Sequence, residues 1–567
     1  MFQSVNLSEI DEDLNGRMFE VFLTASVRGK ELGQFFTPRS VVDFMTRIAL
    51  RDADPAKPPI VLDACCGTAG MLIEVMAYLA SRIRGDTRFN NRKRETLKAG
   101  ICNECLYGVE ANERVARIAR INMYLHGDGG SHIFHGDGLD NDSQETKDMT
   151  HEQKKSVQEY RRKIVPGEFD FILTNPPFSM KYDANKEDEK RIINQYDFTK
   201  NETNVKSSIL FLNRYCQLLK PGGEMLIVLD DTVLNGKSFT KARQWMMDNY
   251  VILGIHSLPF NAFFKAKANI KTSILHFRKK ADKEEQQGHV FMSVSNNIGH
   301  DNATNDTPLR NNLNEIFTAY MEWKRMGKLE NTTRENQDKS ENLECPMQYW
   351  LTSPDKLTLE RFDAFFYCPD LYNTYSTLAT LVTKKTITLV AGKSLKLKSK
   401  LSKNEKKIMR ENGTTYRYFE IGDVTRYGLI TKYMEGKFDE LPTRGEYCVK
   451  TGDVLLALNN SSRGTVVLVP PEFDGAICTS GFLVIEPKDE IEGLLLWYSL
   501  RGEVCRKQIY YLAQTASQPE LKIEAWEKYF QIPIPVGVER KKAIEKAQEF
   551  SEYLSLLSDV DEYCFYI

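Results

Sequence analysis

At 567 residues the chain is too long for a single hydrophobic core, so about two or three domains are expected. Its formal net charge of -2 excludes a general electrostatic pull on polyanions, so nucleic-acid contacts would come from local patches. Eleven scattered cysteines, with Cys102 and Cys105 the one C-x-x-C pair, and eight histidines outside any cluster argue against a metal site; thiols without a signal peptide or long apolar run point to a reducing cytoplasm and no membrane.

In chain order, a short N-terminal helical segment, residues 1–35, leads into Gly33-Gln34-Phe35-Phe36-Thr37-Pro38-Arg39. The buried-strand run Ile60-Val61-Leu62 then ends in Asp63-Ala64-Cys65-Cys66-Gly67-Thr68-Ala69-Gly70 and passes into a helical pattern over residues 71–77. Strand, small-residue turn and helix form the layout of a nucleotide-type site. Gly67 and Gly70 let the backbone approach a ligand, and the helix N-terminus favours a carboxylate. A second unit, Tyr107-Gly108-Val109-Glu110 with a helix over residues 112–126, puts an acid where the two ribose hydroxyls of an adenosine would bind. A third strand-end acid, Asp137, is placed to reach an adenine amino group. The charged insertion over residues 140–163 reads as a solvated helix.

The apolar run Phe169-Asp170-Phe171-Ile172-Leu173-Thr174 ends in Asn175-Pro176-Pro177-Phe178. An exocyclic amine on a planar ring is a poor nucleophile, because its lone pair is delocalised. An Asn oxygen and the Pro176 carbonyl can each accept one of its N–H bonds and free that pair. Pro177 stiffens the turn, and Phe178 offers a flat face to a base taken out of its stack. The plain alternative is a strand running into a Pro-Pro turn with a core Phe. Residues 181–205 read as a mobile polar loop over the site. A helix over 207–219, a stop at Pro221-Gly222-Gly223, and strands over 224–229, 251–258 and 272–278 complete one doubly wound α/β domain of about seven strands.

Residues 328–344 are polar and rich in Asn and Glu, and the linker is drawn over 328–357. Beyond it, short strands with turn signals predict a β-rich (α+β) domain over 358–537, then a long helix over 538–567. Between Lys393 and Arg410 eight cations face the single acid Glu405, a run that can track phosphates or form a surface loop. In the last helix Ile544, Ala547, Phe550, Leu554 and Leu557 share one stripe, at a spacing that suits a coiled-coil seam or packing on its own domain.

The ordered set from Gly33 to Arg39, Asp63 to Gly70, Glu110, Asp137 and Asn175 to Phe178 resembles the γ-class N6-adenine DNA methyltransferases, most closely the modification subunit of type I restriction systems, over residues 10–325. The resemblance implies a Rossmann-like methyltransferase domain over 36–327 with S-adenosylmethionine as cofactor. The matching cofactor positions are Gln34, Phe35, Phe36, Thr37, Pro38, Arg39, Asp63, Gly67, Thr68, Ala69, Gly70, Glu110 and Asp137; Asn175, Pro176, Pro177 and Phe178 would be catalytic. Ala64 and Cys65 depart from the family's usual Pro and Ala without removing a donor or acceptor. The family carries a long helical domain before Gly33, where this sequence has 32 residues.

The pieces Phe419-Glu420-Ile421-Gly422-Asp423-Val424, Gly428-Leu429-Ile430, residues 449–457, residues 475–482 and Phe530-Gln531-Ile532-Pro533-Ile534-Pro535 resemble one target recognition domain of a type I specificity subunit, opened by Arg361-Phe362-Asp363-Ala364-Phe365-Phe366. The last helix matches the spacer that pairs two such domains, which implies a homodimer. Together these imply a fused protein that methylates an adenine in double-stranded DNA within a restriction-modification or related phage-defence system, with any restriction subunit on another polypeptide. N4-cytosine methylation, methylation of glutamine or RNA, and a DNA-binding scaffold for a separate nuclease are the alternatives.

Overall fold

Apolar runs without polar alternation suit strands covered on both faces, and the first unit lays such runs side by side in one sheet. The computed structural model describes residues 37–558, apart from 128–131, 143–148, 267, 302–303, 328, 330–344, 346, 459–464 and 514–519. The expected N-terminal segment, with Gln34, Phe35 and Phe36, lies outside the described residues. The chain divides into two units, residues 1–332 with 348–364, and residues 333–347 with 365–567.

In the first unit the strands are β1 (Val61–Asp63), β2 (Leu106–Glu110), β3 (Ile133–His135), β4 (Phe169–Thr174), the small pair β5 (Lys181–Asp183) and β6 (Asn204–Lys206), then β7 (Leu219–Asp230), β8 (Tyr250–Ser257), β9 (Thr272–Lys279), β10 (Val290–Val294) and β11 (Tyr349–Thr352). All but β5 and β6 share one sheet in the order β11-β10-β8-β9-β7-β4-β1-β2-β3. Strands β3, β2, β1, β4 and β7 run parallel, and β9 is antiparallel between β7 and β8. Strand β7 shows the cause: Met225, Leu226, Ile227, Val228 and Leu229 are all fully buried. The strand order reverses between β1 and β4, and in open α/β sheets ligands bind beyond the carboxyl ends at such a point. The turns that follow β1 and β4 are Asp63 to Gly70 and Asn175 to Phe178.

Two expectations need correction here. The linker drawn over 328–357 contains β11, which pairs antiparallel with β10 and buries Trp350. Residues 358–364 also belong to the first unit, where the Phe362 N–H donates to the Leu234 carbonyl at 2.8 Å. Composition marked the polar half of this segment and passed over a four-residue strand, too short to show a period.

The segment 181–205, expected as a mobile loop, is folded. Strands β5 and β6 pair antiparallel, with Tyr182 opposite Val205, and enclose the helix Glu187–Ile193. Its anchors lie on the turn after β3. Arg191 makes two bonds to the Asp140 carboxylate at 2.8 and 2.7 Å, Gln195 donates to the same group at 2.9 Å, and the Tyr196 hydroxyl donates to the Leu139 carbonyl. The charged insertion before β4 forms the helix His151–Lys163. It is not solvated all round, since Val157 and Tyr160 are buried.

The second unit is β-rich with helices, as expected. Strands β12 (Ile387–Ala391), β13 (Thr415–Phe419), β14 (Met434–Lys437), β15 (Gly445–Cys448), β16 (Val454–Ala457), β17 (Val466–Leu468), β18 (Ile477–Thr479), β19 (Phe482–Ile485) and β20 (Gln531–Pro535) form sheets ordered β14-β13-β18-β15, β17-β16-β19 and β12-β20. The last helix, Gly537–Ser558, lays Phe550 against Trp497 of the helix Glu490–Leu500, ring centroids 5.6 Å apart, and buries Ala543, Ala547 and Leu554. Its apolar stripe is thus taken up within its own unit, and the Leu557 side chain lies outside those described. The basic run also differs from expectation. Lys398 pairs with Asp453 at 2.5 Å, Lys396 with Glu486 at 2.7 Å, Lys406 with Glu446 at 3.4 Å and Arg410 with Asp439 at 2.8 Å. Acids distant in sequence neutralise much of it.

Candidate active site

The Asp63 to Gly70 turn closes tightly because two of its residues take left-handed backbone, Gly67 at φ 54° and Ala69 at φ 67°. The helix Gly70–Gly85 starts immediately beyond. The Gly67 N–H donates to Glu110 Oε2 at 3.1 Å and the Asn112 N–H to Oε1 at 2.8 Å, so backbone on both sides fixes this carboxylate at the end of β2. Asn122, fully buried on the helix Glu113–Leu125, donates to the Thr68 carbonyl at 2.9 Å. Gly138 approaches so closely that a side chain there would collide with the Ala64 carbonyl. The turns after β1 and β3 are therefore held against each other.

Asp63 is buried, and its Oδ1 accepts from the Cys65 N–H at 3.2 Å and from Thr174 Oγ1 at 3.0 Å. Burial pushes its carboxyl up to about 7, against the pull of those donors. Thr174 is the last residue of β4, so this acid is tied to the strand that presents Asn175. Asp137 Oδ1 accepts the Leu139 N–H at 2.9 Å and its Oδ2 accepts the Tyr182 hydroxyl at 2.8 Å. Burial raises this carboxyl above its ordinary range as well.

Asn175 Nδ2 donates to Thr37 Oγ1 at 3.0 Å, and in this orientation Oδ1 is the acceptor end of the amide. Thr37 and Pro38 lead into the helix Arg39–Ala49, and Arg39 Nη1 lies 3.4 Å from the Gly70 carbonyl. The described part of the first segment thus meets both Asn175 and the glycine turn. The Pro177 carbonyl accepts from Ser207 Oγ at 3.0 Å, which pins the Pro-Pro turn. Phe178 departs from expectation: it is 3% exposed and packs edge-on against Phe263, with centroids 5.4 Å apart. In this conformation it is a core residue and not an open stacking face, because the ring buries itself against its apolar neighbours.

The geometry brings Thr37, Pro38, Arg39, Asp63, Gly67, Thr68, Ala69, Gly70, Glu110, Asp137 and Asn175 to Phe178 around the carboxyl ends of β1 to β4. Sequence reasoning missed Tyr182, Ser207 and Thr174. Thr174 could have been found as the strand end beside Asn175; the other two carry no local signal. Among the described residues no group of three or more His, Cys, Asp or Glu is placed to hold a metal ion, and no helix is long and apolar enough to cross a membrane. Three acids in rank on adjacent strand ends suit a ligand that carries an ammonium, a ribose diol and an exocyclic amine.

The N-6 DNA methylase family matches residues 10–349. The chain belongs to that family. Among relatives, the chain is 25% identical over 300 residues to the type I restriction enzyme MpnII methylase subunit of Mycoplasma pneumoniae, covering 50% of this chain and 49% of that protein. It is 28% identical over 306 residues to the MjaVII methylase subunit of Methanocaldococcus jannaschii, covering 52% and 45%. The chain thus spans about half the length of these curated relatives. A solved type I methyltransferase subunit from Streptococcus thermophilus superposes with a TM-score of 0.39 at 23% identity, covering 56% of this chain and 59% of that one.

Proposed function

We propose that the chain methylates the N6 amine of an adenine at a specific site in double-stranded DNA, with S-adenosylmethionine as donor, within a restriction-modification or related phage-defence system. The observation that carries this is Asn175, held by Thr37 on one side and by the Asp63–Thr174 bond on the other. Asn175 Oδ1 and the Pro176 carbonyl would accept the two amine hydrogens and release the nitrogen lone pair. Ser207 keeps the turn in place through the Pro177 carbonyl. Asp63, Glu110 and Asp137 would hold the cofactor's ammonium, ribose and purine amine, and the cofactor supplies an electrophilic methyl on a cationic sulfonium. Positioning, and not acid-base chemistry, does most of the work. Stacking by Phe178 would require its ring to leave Phe263, so the proposal rests on Asn175.

The second unit would choose the DNA site. The loop between β13 and β14 exposes Arg426, Tyr427, Lys432 and Tyr433, while Arg417, which lies 4.9 Å over the Tyr433 ring, is itself paired with Glu435 at 2.9 Å. This surface supports DNA contact better than the neutralised basic run does. A separate restriction subunit is the expected partner, working in the cytoplasm. Dimerisation through the last helix would have to use its outer face, since the apolar stripe packs on Trp497.

Purified protein with labelled S-adenosylmethionine and mixed-sequence DNA should label adenine. Asn175→Ala should lower the rate by at least about 10²–10³-fold, as the loss of one preorganised polar partner does. Label on cytosine would move the reading to N4 methylation, and full activity in the variant would refute the role of Asn175.

A further inference from the structure

Tyr182 stands four residues beyond Phe178 in the motif that would hold the target amine, yet its hydroxyl ends on Asp137, the acid assigned above to the cofactor's purine. The two oxygens of Asp137 are divided between two donors. Oδ1 takes the Leu139 N–H in a local turn, and Oδ2 takes the phenol. A carboxyl torsion is broad when unrestrained; a donor on each oxygen fixes the plane of the group. The donors also favour the ionised form, and an ionised carboxylate accepts hydrogen bonds and cannot donate one.

We infer that Tyr182 is a positioning residue for cofactor recognition, which holds Asp137 as an oriented acceptor and so makes the site prefer a 6-aminopurine over a 6-oxopurine. This rests on the methyltransferase reading of the same site. A 6-amino group donates to an acceptor, whereas a 6-oxo group needs a donor. Without the phenol, burial drives Asp137 toward its protonated form, which can donate. Tyr182 itself stays protonated, because burial and the Asp137 charge push its phenol well above the ordinary range.

The rest of the segment is held independently of this contact. Arg191 and Gln195 bind Asp140, the Tyr196 hydroxyl binds the Leu139 carbonyl, and Lys206 pairs with Asp230. Tyr182→Phe keeps the ring and the β5–β6 ladder, so the segment should stay docked. Tyr196→Phe removes a neighbouring phenol that does not touch the Asp137 carboxylate and serves as the control.

The test is calorimetric binding of S-adenosylhomocysteine and of its 6-oxo analogue, S-inosylhomocysteine, to the full chain. Wild type and Tyr196→Phe should prefer the adenosyl compound by on the order of tenfold or more, the worth of one hydrogen bond to a charged group. In Tyr182→Phe that ratio should fall to near unity, with unfolding midpoints in urea showing both variants folded. An unchanged ratio in Tyr182→Phe, or an equal fall in both variants, would overturn the role of Tyr182 and leave the methyltransferase reading intact. Failure of wild type to bind either compound would overturn that reading and this inference together.

Discussion

The nine-stranded sheet treats its buried carboxylates in two opposite ways. At the carboxyl ends of β1 and β3, Asp63 and Asp137 are met chiefly by backbone N–H groups and hydroxyls, and burial leaves both carboxyls raised. Within β7, Glu224 takes two bonds from Arg51, each 2.9 Å, and a third contact at 2.8 Å from His276. Those partners hold its carboxyl well below the usual range in spite of burial. Burial opposes charge in all three, and it is reversed only at Glu224, where the Arg51 guanidinium and the His276 contact act together. An acid whose counter-charge is built in can serve the fold alone, whereas the proposed site leaves the charge of Asp63 and Asp137 to be matched by a ligand.

The largest effect should come from breaking the matched pair. Glu224→Ala leaves Arg51 buried without its acid, and loss of one partner of a buried pair costs about 3–5 kcal/mol. Asp63→Asn keeps an acceptor and removes a charge that burial disfavours, so its urea midpoint near pH 8 should hold or rise. A comparable loss in both variants would erase the distinction.

Asp63 and Glu224 should also answer pH with opposite signs. Asp63 in the folded chain titrates near 7, above its ordinary 3.8, so the folded state binds that proton more tightly. Its stabilising contribution is complete below the unfolded value and is lost as pH rises through 7. Glu224, held below its ordinary 4.5, contributes above that value and loses its effect as pH falls. At about 1.4 kcal/mol per unit, wild type should lose roughly 2–3 kcal/mol relative to Asp63→Asn between pH 5 and pH 8. Urea midpoints of the two proteins measured at four pH values test this; parallel curves would mean that Asp63 is not the titrating group.

The sheet and the two principal turns were legible in the sequence because their signals are local: an apolar run, then a strand-end acid or Asn, then a small-residue or Pro-Pro turn. Three of the five C-terminal pieces likewise reach strands, with residues 449–457 on β16, residues 475–482 spanning β18 and the start of β19, and residues 530–535 on β20, whereas residues 420–424 and 428–430 lie in the loop between β13 and β14. What the sequence hid depends on distant partners. The folding of 181–205 rests on Asp137 and Asp140, some 40 to 60 residues away, and a polar composition alone reads as a loop. Phe178 was visible as an aromatic, but its burial depends on Phe263. Strand β11 was too short to outweigh the polar stretch before it.

The basic run of the second unit belongs with Glu224 and not with Asp63. Its charges looked available because the neutralising acids Asp453 and Glu486 lie far along the chain, yet Lys398 is only 10% exposed and sits 2.5 Å from Asp453. Lys398→Met should cost about 2 kcal/mol, typical of a hydrogen bond between charged groups, as read by urea unfolding. The same variant should leave the salt dependence of duplex-DNA binding unchanged, because a lysine that tracks a phosphate contributes about 0.9 to the slope of log K against log salt and a lysine committed to Asp453 contributes nothing. Lys407, exposed and 3.8 Å from Glu411, is the internal comparison. Its replacement by Ala should leave stability within error, since exposed pairs are weak. A drop in salt slope for Lys398→Met would return the run to phosphate contact and place its charges with the unmatched kind.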